Sequence, residues 1–203
     1  MTNNNTIVIN KDGINQPNAN TTLKRDFILN ENVTESSVKD IITGILAVNK
    51  HDAKKSKEDP NYVVEPITLV VGSYGGSVYD GFGLVSVIDS SETPVHTYCY
   101  SKAMSMGFII FASGHKRFAH PLAFFMYHEV SSVLGGSGTD IKKGTKQLDV
   151  LMETYDSYIL ETTNVPKHRM DETKQRNEDW YIPATEALHY NLVDELLVSK
   201  RKR

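Results

Sequence analysis

At 203 residues, with 39% apolar and 23% charged side chains, the chain has the size and composition of one globular domain with a buried core. Its formal net charge of −3 gives no reason to expect nucleic-acid binding, and no run approaches the roughly 20 apolar residues that span a bilayer. The single cysteine, Cys99, excludes an internal disulfide and fits a reducing compartment. Because the N-terminus also lacks the pattern of a signal peptide, we expect a cytoplasmic protein that does not bind membranes.

The hydrophobic pattern predicts strands and helices that alternate along the chain. Residues 1–22 are rich in Asn and Thr, and we expect them to be flexible apart from a small hairpin around Asp12-Gly13. Residues 50–62 are charged and are predicted to form a loop. Strands are predicted at residues 27–29, 67–71, 95–100, 115–119 and 123–128, and helices at residues 38–46, 77–89, 138–164 and 185–190, with a shorter helix after Pro166.

This alternation predicts an α/β fold whose sheet is largely parallel. The long helix after Gly138 interrupts the repeated strand–helix units, so it is interpreted as an inserted subdomain, a handle over about residues 129–170. We predict a main domain over residues 23–197 and a solvated basic tail over residues 198–203. The helix carries one apolar stripe, made of Leu148, Leu151, Met152, Tyr155 and Ile159.

Ser105 is the candidate nucleophile because it stands where a predicted strand gives way to a predicted helix. A serine hydroxyl needs a base in hydrogen-bond reach, an orienting group for that base, and donors for a developing oxyanion. The free N–H groups of a helix N-terminus favour an anion there. The pattern is Ala-x-Ser-x-Gly over residues 103–107. An isolated match of this kind is also typical of a serine that only caps a helix.

Two further segments supply the remaining chemistry. The double glycine Gly75-Gly76 follows an apolar strand and would let backbone amides approach a substrate, although it is also typical of a simple turn. His128 ends an apolar strand and is the candidate base among seven histidines. The alternatives His51, His115 and His168 lie in charged surroundings typical of solvent-facing side chains.

The chemistry alone leaves the acid open among carboxylates downstream of His128. Asp179 is favoured because Trp180-Tyr181-Ile182 would hold it against the core, where a carboxylate needs a partner. The alternatives are Asp140, Asp156 and Asp171.

These motifs and several others, in their order along the chain, resemble those of the Clp protease proteolytic subunit (ClpP) family of serine peptidases. The resemblance covers about residues 23–197. Any one motif is weak, but together and in this order they are specific. The matching segments are Leu23-Lys24-Arg25 with Phe27-Ile28-Leu29, Tyr74-Gly75-Gly76, Ala103-Met104-Ser105-Met106-Gly107, Met126-Tyr127-His128, Asp179-Trp180-Tyr181, Glu186-Ala187 and Asn191-Leu192-Val193-Asp194.

The resemblance implies a ClpP/crotonase-like fold and a serine endopeptidase with Ser105 as nucleophile, His128 as general base and Asp179 as orienting acid. It implies that the backbone N–H groups of Gly76 and Met106 form the oxyanion hole. It also implies homo-oligomeric heptameric rings, two of them stacked into a tetradecamer through the handle. An ATP-dependent AAA+ unfoldase would feed polypeptide substrates to the rings, and no cofactor is expected on the chain itself.

The chain departs from the family pattern at a few positions, and alternatives stay open. Tyr74 stands in place of a proline, Ser101-Lys102 in place of Gly-Gln, and Asn191 in place of a glycine. A crotonase-like acyl-CoA enzyme would also use paired backbone donors but would not need Ser105, His128 and Asp179 together. A catalytically silent ring subunit would have the same sequence features. A variant of the peptidase hypothesis uses Lys102 as base, as in signal-peptide peptidases.

Overall fold

The computed structural model describes residues 23–198, so the predicted hairpin around Asp12-Gly13 and most of the basic tail lie outside the described residues. The elements are β1 (Asp26–Leu29), α1 (Glu35–Glu58), β2 (Ile67–Val71), α2 (Val78–Asp89), β3 (Val95–Cys99), β4 (Lys102–Met104), α3 (Met106–Ala112), β5 (Lys116–Ala119), β6 (Phe124–Tyr127), α4 (Gly138–Thr162), α5 (Lys167–Arg176), β7 (Trp180–Pro183), α6 (Ala184–His189) and β8 (Glu195–Leu196).

Two sheets organise the chain. The larger is five-stranded and entirely parallel, in the order β1-β2-β3-β5-β8, and the smaller has the order β4-β6-β7. In the smaller sheet β4 and β6 are parallel and β7 runs antiparallel to β6. The predicted α/β fold with a largely parallel sheet is therefore confirmed.

Helices cover one face of the larger sheet. The ring of Phe27 packs beneath Gly44 of α1, and Thr97 donates a hydrogen bond to the carbonyl oxygen of Phe111 in α3. The alternate side chains point to the opposite face, as the period of two in a strand requires. We call that opposite surface the open sheet face, and its half-buried or exposed members are Asp26, Ile28, Thr68, Val70, His96, Tyr98, Lys116, Phe118 and Glu195.

The predicted loop at residues 50–62 is wrong, because α1 continues to Glu58. Its charged residues are mostly lysine and glutamate, which are good helix formers. The helix is also held by Asp52, a buried carboxylate that accepts hydrogen bonds from Arg25, Tyr62 and Thr93. The charge-rich sequence of residues 50–62 suggests a loop because the partners of Asp52 come together only in the folded chain.

The apolar stripe predicted for α4 is only partly buried. Tyr155 and Ile159 are buried within the chain, whereas Leu148, Leu151 and Met152 are only half-buried. The helix begins with a capping box in which Ser137 and Asp140 exchange hydrogen bonds. The inserted handle over residues 129–170 contains α4 and the start of α5, and its boundaries stay a prediction.

Two positions noted in the sequence have clear places in the structure. Cys99 is fully buried in β3. Asn191 has φ of +48°, the left-handed region that glycine and asparagine tolerate best, which explains how asparagine serves at a position where the family resemblance has glycine. Among residues 23–198, the helices are all too short or too polar to cross a membrane.

Candidate active site

Ser105 occupies a sharp turn between β4 and α3. Its backbone has φ of +51° and ψ of −125°, an unfavourable region for a residue with a side chain that costs about 1–3 kcal/mol. Its N–H donates to the carbonyl oxygen of Met126 at 2.9 Å, and the preceding Met104 N–H donates to that of Ser73 at 3.0 Å. The turn is therefore held from two neighbouring segments.

The hydroxyl of Ser105 meets the imidazole of His128. The distance between Ser105 Oγ and His128 Nε2 is 2.8 Å, a normal hydrogen bond. His128 follows the last residue of β6, and its side chain is about one-third exposed. The structure thus brings together the predicted nucleophile and the predicted base, which are 23 residues apart in the chain.

Asp179 lies on the other side of the same imidazole. The antiparallel register pairs Tyr127 with Trp180, so the next positions, His128 and Asp179, face each other. The distance from His128 Nδ1 to Asp179 Oδ1 is 3.5 Å, longer than a normal hydrogen bond. Such contacts are often long in free enzymes and shorten when substrate binds.

The expectation that Asp179 is held against the core is wrong. Its side chain is 47% exposed, and its other oxygen accepts a hydrogen bond from Tyr181 at 3.3 Å. The neighbouring Trp180 and Ile182 are buried and anchor β7. The apolar run therefore fixes the strand that carries Asp179 without burying the carboxylate.

The three alternative acids contact other groups. Asp140 caps α4 through Ser137. Asp171 pairs with Lys167 on α5 at 2.6 Å, and this contact lowers the pKa of its carboxyl despite some desolvation. Asp156 accepts a hydrogen bond from Tyr127. These contacts favour Asp179 as the partner of His128.

The glycine pair lies directly beside the serine turn. Gly75 and Gly76 have φ of +102° and +146°. A Cβ on Gly75 would lie 2.7 Å from Ser105 Cβ, and one on Gly76 would collide with the carbonyl oxygen of Val33, so neither position has room for a side chain. The backbone of residues 75–76 can therefore lie this close to Ser105 only because both residues are glycines.

Two backbone N–H groups are available for the predicted oxyanion hole. The bridge between Val33 and Gly76 uses the oxygen of Gly75 and the N–H of Ser77, and does not engage the N–H of Gly76. Met106 is the first residue of α3, where an N–H has no partner within the helix. Their roles stay a prediction.

A cleft of about 250 Å³ opens over these groups. The ring of Tyr74 forms part of its rim, and Lys102 Nζ lies 4.3 Å from the centre of that ring, in cation–π contact. Lys102, the alternative base, is thus in contact with Tyr74. The cleft is lined by Tyr74, Gly76, Val78, Ser105, His128, Val130, Ser131 and Tyr155.

Sequence analysis missed one polar contact of the serine turn. The hydroxyl of Tyr155, on α4, donates to the carbonyl oxygen of Ser105 at 2.9 Å. The sequence pattern places Tyr155 on the apolar stripe of the helix, and its spacing carries no signal of a distant partner. Within residues 23–198, no three His, Cys, Asp or Glu side chains cluster to hold a metal ion, and the absence of a cofactor stays a prediction.

The fold and the cleft define an α/β protein with a serine–histidine pair at a strand-to-helix turn. Residues 12–200 match the family model for Clp protease, so the chain belongs to the Clp protease family. This confirms the family that the sequence motifs indicated. Members of the family are serine-type peptidases that generally form rings and work with unfoldase partners.

Proposed function

We propose that this chain is a serine endopeptidase that cleaves short peptides and unfolded polypeptides through an acyl-enzyme formed on Ser105. The contact of 2.8 Å between Ser105 Oγ and His128 Nε2 carries the proposal. Family membership supports the reaction class, and the strained turn supports the choice of serine. A hydroxyl with a base in hydrogen-bond reach is the arrangement that activates a weak nucleophile.

The proposed reaction begins when His128 Nε2 takes the proton of Ser105 Oγ. The oxygen bonds to the carbonyl carbon of the peptide, and the C=O π electrons move to the carbonyl oxygen, which the N–H groups of Gly76 and Met106 stabilise. The tetrahedral intermediate then collapses, the C–N bond breaks, and His128 gives its proton to the leaving amine. Water, deprotonated by His128, then bonds to the acyl carbon; the ester bond to Ser105 Oγ breaks, His128 returns the proton to that oxygen, and the acid product leaves.

Asp179 is proposed to orient His128 and to stabilise the imidazolium that forms. The antiparallel pairing of β6 with β7 supports this role because it aligns the two residues. The separation of 3.5 Å leaves room for the contact to shorten in the substrate complex.

Self-association into rings, two of them stacked, is proposed on the open sheet face and the handle. Parallel sheets are normally covered on both faces, whereas this face exposes Ile28 and leaves only half-buried a stack of Tyr98 on Phe118 with ring centres 4.7 Å apart. A second copy of the chain would cover these side chains. On the handle, Tyr155 and Ile159 would contribute little to such an interface, because both are buried within the chain.

The proposed source of unfolded substrate is an ATP-dependent unfoldase. The 203-residue sequence contains no Gly-x-x-x-x-Gly-Lys-Ser/Thr phosphate loop, so the energy for unfolding would come from a partner. Membership of a family that generally works with such partners supports this.

A fluorophosphonate probe tests the central proposal. The probe reacts with an activated serine, and mass mapping should place the label on Ser105. The variant Ser105→Ala should lose both labelling and peptide hydrolysis while keeping the wild-type unfolding curve. Labelling of another residue, or wild-type turnover by the alanine variant, would contradict the assignment. An inert wild-type protein would indicate a catalytically silent subunit.

A further inference from the structure

Tyr155 contacts the serine turn from α4, an element that supplies none of the predicted catalytic residues. Its side chain is only 2% exposed, and its hydroxyl donates to Ser105 O at 2.9 Å. A tyrosine hydroxyl is protonated at neutral pH, and burial raises the pKa of the Tyr155 phenol further. The contact is therefore a buried hydrogen bond between α4 and the backbone of Ser105.

The oxygen that Tyr155 binds belongs to the same peptide unit as the N–H of Met106. A trans peptide is planar, so its C=O and N–H point in opposite directions and rotate together. A bond that fixes the direction of Ser105 O therefore also fixes the direction of the Met106 N–H. That N–H is one of the two donors predicted for the oxyanion hole.

A second hydrogen bond to Ser105 O, from the N–H of Phe108, does not replace the restraint that Tyr155 provides. The N–H of Phe108 also donates to Ser105 O at 2.9 Å, but Phe108 lies within α3, which begins at this same peptide. The bond from Phe108 can move together with the turn. The bond from Tyr155 ties the turn to a separate helix.

We propose that Tyr155 is a positioning residue that holds the Ser105–Met106 peptide unit in the orientation required for the oxyanion hole. The inference rests on the proposed function. Ser105 combines φ of +51° with ψ of −125°, so rotation about ψ would relieve the backbone strain and turn the Ser105–Met106 peptide unit; the bond from Tyr155 opposes that rotation. A hydrogen bond accepted by the carbonyl also polarises the peptide, which strengthens its N–H as a donor.

Both effects act mainly on the transition state. The Met106 N–H would matter most when negative charge develops on the substrate oxygen, and less when the neutral carbonyl binds. Loosening the donor should therefore lower kcat more than it raises KM. The loss should be smaller than the roughly 100- to 1000-fold loss on deleting an oxyanion donor, because the donor is still present.

The test variant is Tyr155→Phe in the full chain, assayed with a short peptide. We expect kcat to fall about tenfold and KM to change less than about twofold. Ser105 O keeps the bond from Phe108, so the variant leaves no buried acceptor unpaired and should fold. Active sites titrated to the end point with a fluorophosphonate give kcat per folded site, so partial unfolding does not obscure the result.

The matched control is Tyr158→Phe. Tyr158 lies on the same helix and donates its hydroxyl to Asp89 at 2.7 Å, away from the serine turn. Its loss should leave kcat per titrated site unchanged. An equal fall of kcat in both variants would overturn the proposal, because it would show a general effect of loosening α4.

Inhibitors provide a readout that a purely structural role would not change. A peptide aldehyde forms a tetrahedral adduct with the serine and places an oxygen in the oxyanion hole, whereas the corresponding peptide alcohol does not. Tyr155→Phe should weaken the aldehyde about tenfold and leave the alcohol unchanged. Equal weakening of both, or wild-type kcat and aldehyde affinity, would overturn the role of Tyr155. Peptide hydrolysis by Ser105→Ala would instead overturn the proposed function.

Discussion

Arg117 and Asp194 form a bidentate ion pair that joins the start of β5 to the segment leading into β8. The distances are 2.7 Å from Arg117 Nη2 to Asp194 Oδ1 and 3.0 Å from Nε to Oδ2. Arg117 is buried, and its remaining Nη1 donates to the carbonyl oxygen of Thr162 at the end of α4. The pair therefore connects the last strand of the sheet with the long helix.

Removing the charge of Asp194 should destabilise the fold. Asp194→Asn leaves the buried guanidinium of Arg117 without its anion, which should lower the free energy of unfolding by about 2 kcal/mol. Urea denaturation at pH 7 measures this change. Glu58→Gln, which removes an exposed ion pair with Lys54 and Lys55, is the control and should leave the urea midpoint unchanged.

The Arg117–Asp194 pair also predicts how the loss of unfolding free energy in Asp194→Asn depends on pH. Burial raises the pKa of Asp194, but the hydrogen bonds and charge of Arg117 outweigh it and hold the pKa below its ordinary value. The stabilising contribution is thus fully present above the unfolded pKa of about 3.9 and is lost as pH falls through the lower folded value. The stability gap between wild type and Asp194→Asn should narrow below about pH 4. A gap that widened with acid would contradict this account.

Asp179 and His128 should act as one unit with Ser105. We expect Asp179→Asn to lower kcat by about 100- to 10,000-fold, and the double variant with His128→Ala to lose little more than His128→Ala alone. Steady-state hydrolysis of a peptide measures these losses. Asp171→Asn is the control, because Asp171 pairs with lysines on α5. A harmless Asp179→Asn together with a severe Asp171→Asn would show that the acid was chosen wrongly.

Lys102 and His128 can be distinguished as bases. Lys102 Nζ lies over the ring of Tyr74, whereas His128 Nε2 contacts Ser105 Oγ. Lys102→Met should therefore keep kcat within about tenfold of wild type, and His128→Ala should lose several orders of magnitude. Peptide turnover per titrated site measures both. The reverse order would favour the lysine mechanism.

Sedimentation should show an assembly much larger than the 22.8 kDa chain. We expect Phe118→Glu to shift the chain toward smaller species, because a charge on the open sheet face would be buried in the interface. Val63→Glu, at an exposed loop position outside both the handle and the open sheet face, is the comparison and should leave assembly unchanged. A stable monomer that is active towards peptides would contradict the ring proposal.

A chamber formed by rings predicts which substrates the chain cleaves alone. Short unstructured peptides should be hydrolysed slowly, whereas a tightly folded protein should survive until an unfoldase and ATP are added. Incubating the purified chain with both kinds of substrate, with and without these additions, measures the difference. Rapid digestion of the folded substrate by the chain alone would rule out the enclosed chamber.

The local hydrophobic pattern of the sequence was sufficient to predict most strands and helices. It failed where contacts with residues distant in the chain determine the structure. Residues 67–71 are rich in β-branched side chains and residues 123–128 in aromatic ones, and each run contains the strand predicted there, Ile67–Val71 and Phe124–Tyr127. The charged pattern of residues 50–62 predicts a loop, yet residues 50–58 continue α1, where Arg25 and Tyr62 bind Asp52. A buried carboxylate among lysines looks like surface charge until its partners are known.

The sequence by itself determined the family, the alternation of strands and helices, and the choice of Ser105, His128 and Asp179 as candidates, because short motifs and hydrophobic periods are local properties. Only the tertiary structure decided how these residues meet. Strand register sets His128 against Asp179, and leaves that carboxylate exposed. Helix packing brings the Tyr155 hydroxyl to Ser105 O across 50 residues of chain. Such contacts depend on the three-dimensional path of the backbone, which no spacing in the sequence encodes.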